Sequence, residues 1–335
     1  MKSFTTMKFA ALAAAGALAL TACGGSETTG DNGSAAPAEQ ETVKIGISQI
    51  VSHPSLDAVV TGFKAGMAAA GYEGDAVEYD DNNAQGDQAT NTSIVGKFAS
   101  DSNMDLVLAI ATPTAQAAAQ SITNIPVLFS AVTDPVDAKL VASNEAPGGN
   151  VTGTSDRNPV DEQLALLKEL APDAKSVGIV YSSGEANSVV QVAWAKEAAE
   201  KLGLTIEEAA ISASSEVQQA ANSLDVDAFY VPTDNAVVSA LEGLLQTAET
   251  KQIPVIAADG DSVERGATAT YGINYEKLGE QTAAMAVKLL KGEAEPATMP
   301  VETLTEVDLY LNQDAAEKIG IEFSEQMLEE ATEVF

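Results

Sequence analysis

Leu106-Val-Leu-Ala-Ile-Ala-Thr-Pro-Thr-Ala-Gln-Ala-Ala-Ala-Gln-Ser-Ile-Thr-Asn-Ile-Pro-Val-Leu-Phe-Ser-Ala-Val-Thr-Asp-Pro135 is the stretch that decides the fold. It opens on an apolar run, 106–111, too short for a helix and free of polar alternation, which is the pattern of a strand buried on both faces. Thr112-Pro113-Thr114 then starts a helix over 113–121, with proline at the first helical position, where its missing N–H costs nothing. A second apolar run follows over 127–131 and ends in Thr133-Asp134-Pro135. Two such strands joined by one helix form a parallel βαβ unit, with each strand delivering a polar residue at its carboxyl end.

The same rhythm extends in both directions. Upstream, strands are expected over 43–48 and 75–79 and helices over 56–70 and 88–100. The first helix shows Leu56, Val59, Val60, Phe63 and Met67 on one face and Gly71 just beyond its end. Downstream, helices are expected over 159–170, 188–202, 237–250 and 275–290, the second of them carrying the sole tryptophan, Trp194. Strands alternate with them over 176–181, 204–210, 228–231, 254–258, 267–273 and 309–311. The class is therefore α/β, with parallel sheets covered by helices on both faces. Between the two series lies Pro147-Gly-Gly-Asn-Val-Thr-Gly-Thr-Ser155, which reads either as a hinge strand or as a surface turn.

The amino terminus has a different character. Lys2 and Lys8 precede twelve uncharged residues, Phe9 to Leu20, and Leu20-Thr21-Ala22 leads into Cys23, the only cysteine. A basic start, a short apolar core and small residues form a secretory signal, 1–22, and the core is shorter than a membrane span requires. A cysteine at the cleavage point resembles the lipobox of bacterial lipoproteins, so Cys23 is expected to carry lipid and to anchor the protein outside the cytoplasmic membrane. Residues 23–42 are small and polar and read as a tether, with a root-mean-square span of roughly 24 Å after the cysteine. The remaining 293 residues are enough for two domains. Without the signal, 15 basic side chains face 49 acidic ones, a net charge of −34, which excludes nucleic acid as a partner. Only Arg157 and Arg265 could fork onto a highly anionic ligand.

Chemistry is expected where the strands end. In open parallel sheets the ligand crevice lies beyond the carboxyl ends of the strands. Six strands end there in polar residues: Gln49 and His53, Thr112, Thr133 and Asp134, Asn187, Asp234 and Asn235, and Asp259. Each of these either caps the following helix or faces a shared cleft between the domains, and six of them together favour the cleft. His53 is the only histidine and sits either at the cleft mouth or in an exposed loop. Phe129, Tyr181 and Tyr230 either flank a ligand or belong to the core. There is no phosphate-binding loop, dinucleotide fingerprint, nucleophile elbow or zinc-protease motif. One histidine and one cysteine cannot supply the common zinc sets. No catalytic residue, metal or cofactor is expected, and the chain is not read as an enzyme.

Several stretches together carry a family likeness: Gly46-Ile-Ser-Gln-Ile-Val-Ser-His-Pro-Ser-Leu-Asp57, Asn83-Ala-Gln-Gly-Asp-Gln88, Leu108-Ala-Ile-Ala-Thr-Pro113, Ala131-Val-Thr-Asp-Pro135, Ser183-Gly-Glu-Ala-Asn-Ser188, Tyr230-Val-Pro-Thr-Asp-Asn235 and Ala257-Ala-Asp-Gly-Asp-Ser262. With Pro147–Ser155 they span the chain from Val43 to about Ile321. The chain resembles the substrate-binding lipoproteins of ABC importers, in the family that includes tryptophan- and other aromatic-amino-acid-binding members. The resemblance implies a type I periplasmic-binding-protein fold, two Rossmann-like lobes joined by a three-segment hinge. The lobes would be 43–155 plus 266–300 and 156–265 plus 301–335, with crossings near 155–158, 266–273 and 301–309. It implies a monomer that encloses a small solute, foremost an aromatic amino acid such as tryptophan or phenylalanine, and delivers it to an ABC permease and ATPase complex. The ligand shell would draw on the nine strand-end residues named above, with Thr hydroxyls and helix N-termini on the ligand carboxylate and Asp234 on its ammonium. Another small solute, such as a branched-chain amino acid or nucleoside, a ligand-sensing receptor subunit, and an enzyme on the same fold are the alternatives.

Overall fold

A computed structural model describes residues 42–335. The expected signal segment, Cys23 and the tether before residue 42 lie outside the described residues. The first series of elements is β1 (Val43–Gln49), α1 (Pro54–Ala69), β2 (Val77–Asn83), α2 (Gln88–Ser100), β3 (Leu106–Ile110), α3 (Thr112–Ser121), β4 (Val127–Ser130) and β5 (Val151–Ser155). The chain then crosses to α4 (Val160–Leu170), β6 (Ser176–Ser182), α5 (Ala186–Leu202), β7 (Thr205–Ile211), α6 (Val217–Ser223), β8 (Ala228–Val231), α7 (Asn235–Ser239), α8 (Leu241–Lys251), β9 (Val255–Ala257), α9 (Gly260–Glu264) and β10 (Ala269–Gly272). It returns through α10 (Tyr275–Leu290) and β11 (Glu302–Thr303). It ends with β12 (Asp308–Leu311), α11 (Gln313–Lys318), α12 (Glu325–Glu330) and β13 (Glu333–Val334).

Two sheets result. The first has the order β11-β5-β4-β3-β1-β2 and the second β13-β12-β10-β9-β8-β6-β7. Every pairing is parallel except β10 with β12. In each sheet the strand order reverses beside the first strand of the series, between β1 and β3 and between β6 and β8. Those reversals leave crevices at the carboxyl ends of the strands. Both faces of both sheets are covered, which explains the unbroken apolar runs. Leu106, Leu108 and Ile110 of β3 pack on one face, and Val107 and Ala109 on the other. Tyr230 of β8 likewise faces away from Phe229 and Val231.

Sheet membership moves the expected hinge. β5 is fully buried and pairs with both β4 and β11, so 151–155 is a strand of the first sheet, and the crossing comes after it, at 156–159. β10 pairs with β9 and β12, which places 269–272 in the second sheet and not, as expected, with the first. The second crossing is only 273–274. β11 pairs with β5, leaving 304–307 as the third.

Other departures have local causes. β2 runs past the expected 75–79 into Asp80-Asp81-Asn82-Asn83, because as an edge strand it can hold charge. Lys97 and Lys64 reach Asp80 and Asp81 at 2.8 and 2.6 Å. The single helix expected over 237–250 is two helices, broken at Ala240 (φ −127°, ψ 31°). Arg265 Nη1 donates to the Val238 carbonyl at the break (2.8 Å). α6, α9, α11, α12, β11 and β13 were not expected.

Candidate functional site: a cavity closed by both lobes

Helix and strand ends from both sheets converge on one cavity. Its first wall is built from His53, Ser55 and Leu56 at the start of α1, Ala111 and Thr112 between β3 and α3, and Ala131 and Thr133 after β4. The facing wall is Asn187 in α5, Thr233, Asn235 and Val238 around α7, and Asp259 ahead of α9. Asp156 and Tyr275, one on the first crossing and one just past the second, form the hinge side.

Six of the nine expected residues meet here: His53, Thr112, Thr133, Asn187, Asn235 and Asp259. Three do not. Gln49 turns toward the first turn of α1 and donates to Asp57 Oδ1 (2.7 Å). Asp134 accepts from the Val136 and Asp137 N–H groups of the next turn and lies 3.8 Å from Arg157. Asp234 corrects the expectation for the ammonium. It is fully buried, its Oδ1 accepts from Val237 N, and its Oδ2 accepts from Ser182 N and Ser188 Oγ (2.6 Å). Both oxygens serve the fold, so Asp234 is a cap that ties α7 to β6 and α5. Phe129 and Tyr230 are core and Tyr181 is half-buried against core, none of them on the cavity wall.

The lobes touch across the cavity mouth. Ser55 Oγ donates to Asp259 Oδ1 (3.0 Å), and the Thr133 and Thr233 hydroxyls share a hydrogen bond (3.2 Å). Asp259 is also the cap of α9, accepting from Ser262 N (2.8 Å). At the hinge, Tyr275 donates to Asp156 Oδ2 (2.9 Å).

What remains unpaired shows what the cavity can hold. Thr112 Oγ1, Asn187 Oδ1, Asp156 Oδ1 and His53 Nδ1 are buried and have no hydrogen-bond partner among the described residues. Each such group carries a desolvation cost of about 1–3 kcal/mol, and here they cluster on the wall of one cavity. Burial pushes the Asp156 carboxyl up to about 6, against the hydrogen bond from Tyr275 that favours the anion. Burial also holds the His53 imidazole below its ordinary value, opposed by the Asp259 charge. Ala111 and Ala131 adopt positive φ, 71° and 57°, where the chain leaves β3 and β4. For residues other than glycine, such conformations concentrate at ligand sites.

Sequence reasoning missed Ser55, Leu56, Ala111, Ala131, Asp156, Thr233, Val238 and Tyr275. Ser55 and Thr233 stood within quoted strand-end stretches and could have been taken with their neighbours. Asp156 and Tyr275 lie beside crossings, and the sequence carries no signal that aims either of them inward. No group of three or more His, Cys, Asp or Glu side chains among the described residues is arranged to hold a metal.

Two lobes with parallel sheets, three crossings and a cavity closed by contacts from both sides define a solute-binding protein of the type I periplasmic class. The chain belongs to the ABC transporter substrate binding protein family, whose profile matches residues 44–335. It is 43% identical over 309 residues to the tyrosine-binding protein of Clostridioides difficile (strain R20291), covering 90% of this chain and 88% of that one. A domain from Streptococcus pneumonia solved in complex with L-Trp superposes with a TM-score of 0.85 at 39% identity, over 88% of this chain and all of that one. The ligand-free, open structure of a substrate binding protein with adhesive properties from Clostridium difficile is 46% identical, yet superposes at 0.67, over 88% of this chain and 99% of that one. The more similar sequence superposes less well, and in this chain the two lobes meet across the cavity mouth through Ser55–Asp259 and Thr133–Thr233.

Proposed function

We propose that this protein is an extracytoplasmic binding lipoprotein, anchored through Cys23, that captures an aromatic L-amino acid and passes it to an ABC permease and its ATPase. The observation that carries the ligand class is the division of unpaired polar atoms across the cavity. On the first wall, Thr112 Oγ1 sits in the first turn of α3, whose free N–H groups favour an anion. On the facing wall Asn187 Oδ1, and on the hinge side Asp156 Oδ1, are acceptors. An α-carboxylate suits the first group and an α-ammonium the second. Leu56 and Val238 offer apolar contact to a side chain, with His53 and Tyr275 adding flat faces. The relatives that carry tyrosine in their name or L-Trp in their site support the aromatic class.

Capture follows from the two-sided site. A ligand that bridges both walls stabilises the closed arrangement over the open one by its differential contacts, and a permease can read that closure. Calorimetric titration with tyrosine, tryptophan, phenylalanine, leucine, a nucleoside and a hexose tests the proposal. An aromatic amino acid should bind most tightly and, at a hundred times its dissociation constant, add about 2.7 kcal/mol of stability. Tighter binding of the nucleoside or hexose, or no binding of any aromatic amino acid, sinks it.

A further inference from the structure

Glu185 is a buried carboxyl just behind the cavity wall, at the cap position of α5. Its Oε2 accepts from Asn187 Nδ2 (3.0 Å), from Asn235 N (3.3 Å) and from Asn235 Nδ2. Resting on the amino-acid reading, we infer that Glu185 is the positioning residue that turns the wall of the second lobe into a surface of hydrogen-bond acceptors and so selects ligands that carry an α-ammonium.

The argument is one of donor and acceptor balance. Burial, with the Asp234 charge beside it, pushes the Glu185 carboxyl up to about 7. Above that pH it is a carboxylate that only accepts, so it takes the NH2 side of each neighbouring amide and leaves the oxygen to point elsewhere. Asn187 Nδ2 also donates to the Thr233 carbonyl (2.8 Å), another group that cannot donate. Its amide is thus held from two sides, and its Oδ1 is left buried and unpaired on the cavity wall. Asn235 Nδ2 has Glu185 as its single partner among the described residues, so the orientation of that amide depends on Glu185 alone. Together with Asp156 Oδ1, the wall then meets a ligand with oxygens. A ligand without a donor at that place leaves these buried oxygens unsatisfied, the situation in which polar sites discriminate most strongly. A glutamine at 185 could offer NH2 as readily as oxygen, and Asn235 would be free to turn.

The test compares L-tyrosine with 3-(4-hydroxyphenyl)propanoate, which lacks only the ammonium. Dissociation constants are measured for the wild-type protein, E185Q and the double variant E185Q/N235D. The wild type should prefer the amino acid by about 100-fold or more, and E185Q should narrow that preference by about tenfold. In E185Q/N235D, the glutamine NH2 can donate to one oxygen of the new carboxylate while the other faces the cavity, so the preference should return. A wild type with no preference overturns the amino-acid reading itself. A preference left unchanged in E185Q overturns only the role of Glu185. If E185Q does not fold, the side-chain amide resonances of Asn187 and Asn235 in the wild-type complex with L-tyrosine decide the matter. Nuclear Overhauser contacts from their NH2 protons to the ligand overturn the inference, and contacts to Glu185 alone support it.

Discussion

Asp156 combines two roles at the scale of one residue. It lies on the first crossing, receives the Tyr275 hydroxyl on Oδ2, and leaves Oδ1 unpaired in the cavity. Burial raises its folded pKa from 3.8 to about 6, so its contribution to stability is fully present below about 4 and is lost as the pH rises through 6. At neutral pH the buried anion therefore costs the protein about 3 kcal/mol, which a ligand ammonium would offset. Asp156→Asn keeps an acceptor for Tyr275 and cannot ionise. Without ligand, the variant should melt several degrees above wild type at pH 7.5 and level with it near pH 4. Its amino-acid affinity should fall about 100-fold, since an amide NH2 now faces the ammonium. The wild type should bind more weakly below pH 6, by up to tenfold per unit, and release protons on binding, while both effects should be smaller in the variant. Calorimetry in buffers of different ionisation enthalpy measures both. A variant that keeps full affinity would move the ammonium site away from Asp156.

At the scale of elements, α1 and α10 pack with their backbones unusually close, although they are some 200 residues apart in the chain. A Cβ on Gly62 would fall 1.9 Å from the Glu276 carbonyl oxygen, and one on Gly279 2.2 Å from that of Val59. The contact matters to the cavity because α10 begins with Tyr275 and α1 begins beside Ser55 and Leu56. Gly279→Ala should push the helices apart, lower stability by about 1–3 kcal/mol or more, and weaken ligand binding by shifting Tyr275. Gly96→Ala is the control: a Cβ there meets nothing within 4 Å, and the gain in helix propensity should stabilise α2 by up to about 1 kcal/mol. Thermal melts and titrations of the two variants separate close packing from propensity. This scale also shows where the sequence was legible. α2, β8 and α10 lie where periodicity and caps put them, because their apolar faces meet a neighbour at ordinary spacing. The break at Ala240 was not visible, since the apolar pattern runs straight through it and the bond from Arg265 is tertiary. For the same reason strand ends revealed Thr112 and Asn187 as wall residues, while Asp234, with an identical signature, turned out to be a cap.

At the scale of the whole molecule, the closed arrangement ought to be readable through Trp194. Arg157, on the first crossing, lies over the Trp194 ring at 4.0 Å and within 3.8 Å of Asp134, so one guanidinium connects the two lobes. Asp134 belongs to the first series of elements and Trp194 to α5 in the second. Opening of the lobes must therefore draw Asp134 away from Arg157 and change the field at the indole ring. Both side chains of the ion pair are partly exposed, so the pair itself contributes little energy, at most about 1 kcal/mol. Its value is as a reporter: Trp194 is the only tryptophan, and its emission has no other source. Adding the amino acid should change the intensity or wavelength of that emission along a saturation curve with the calorimetric dissociation constant. Asp134→Asn should reduce the change while altering affinity less than about fivefold, in keeping with the small energy of an exposed pair. Calorimetric binding with no change in emission would mean that the lobes are closed before the ligand arrives. Closure would then not be the signal that distinguishes loaded from empty protein for a membrane partner.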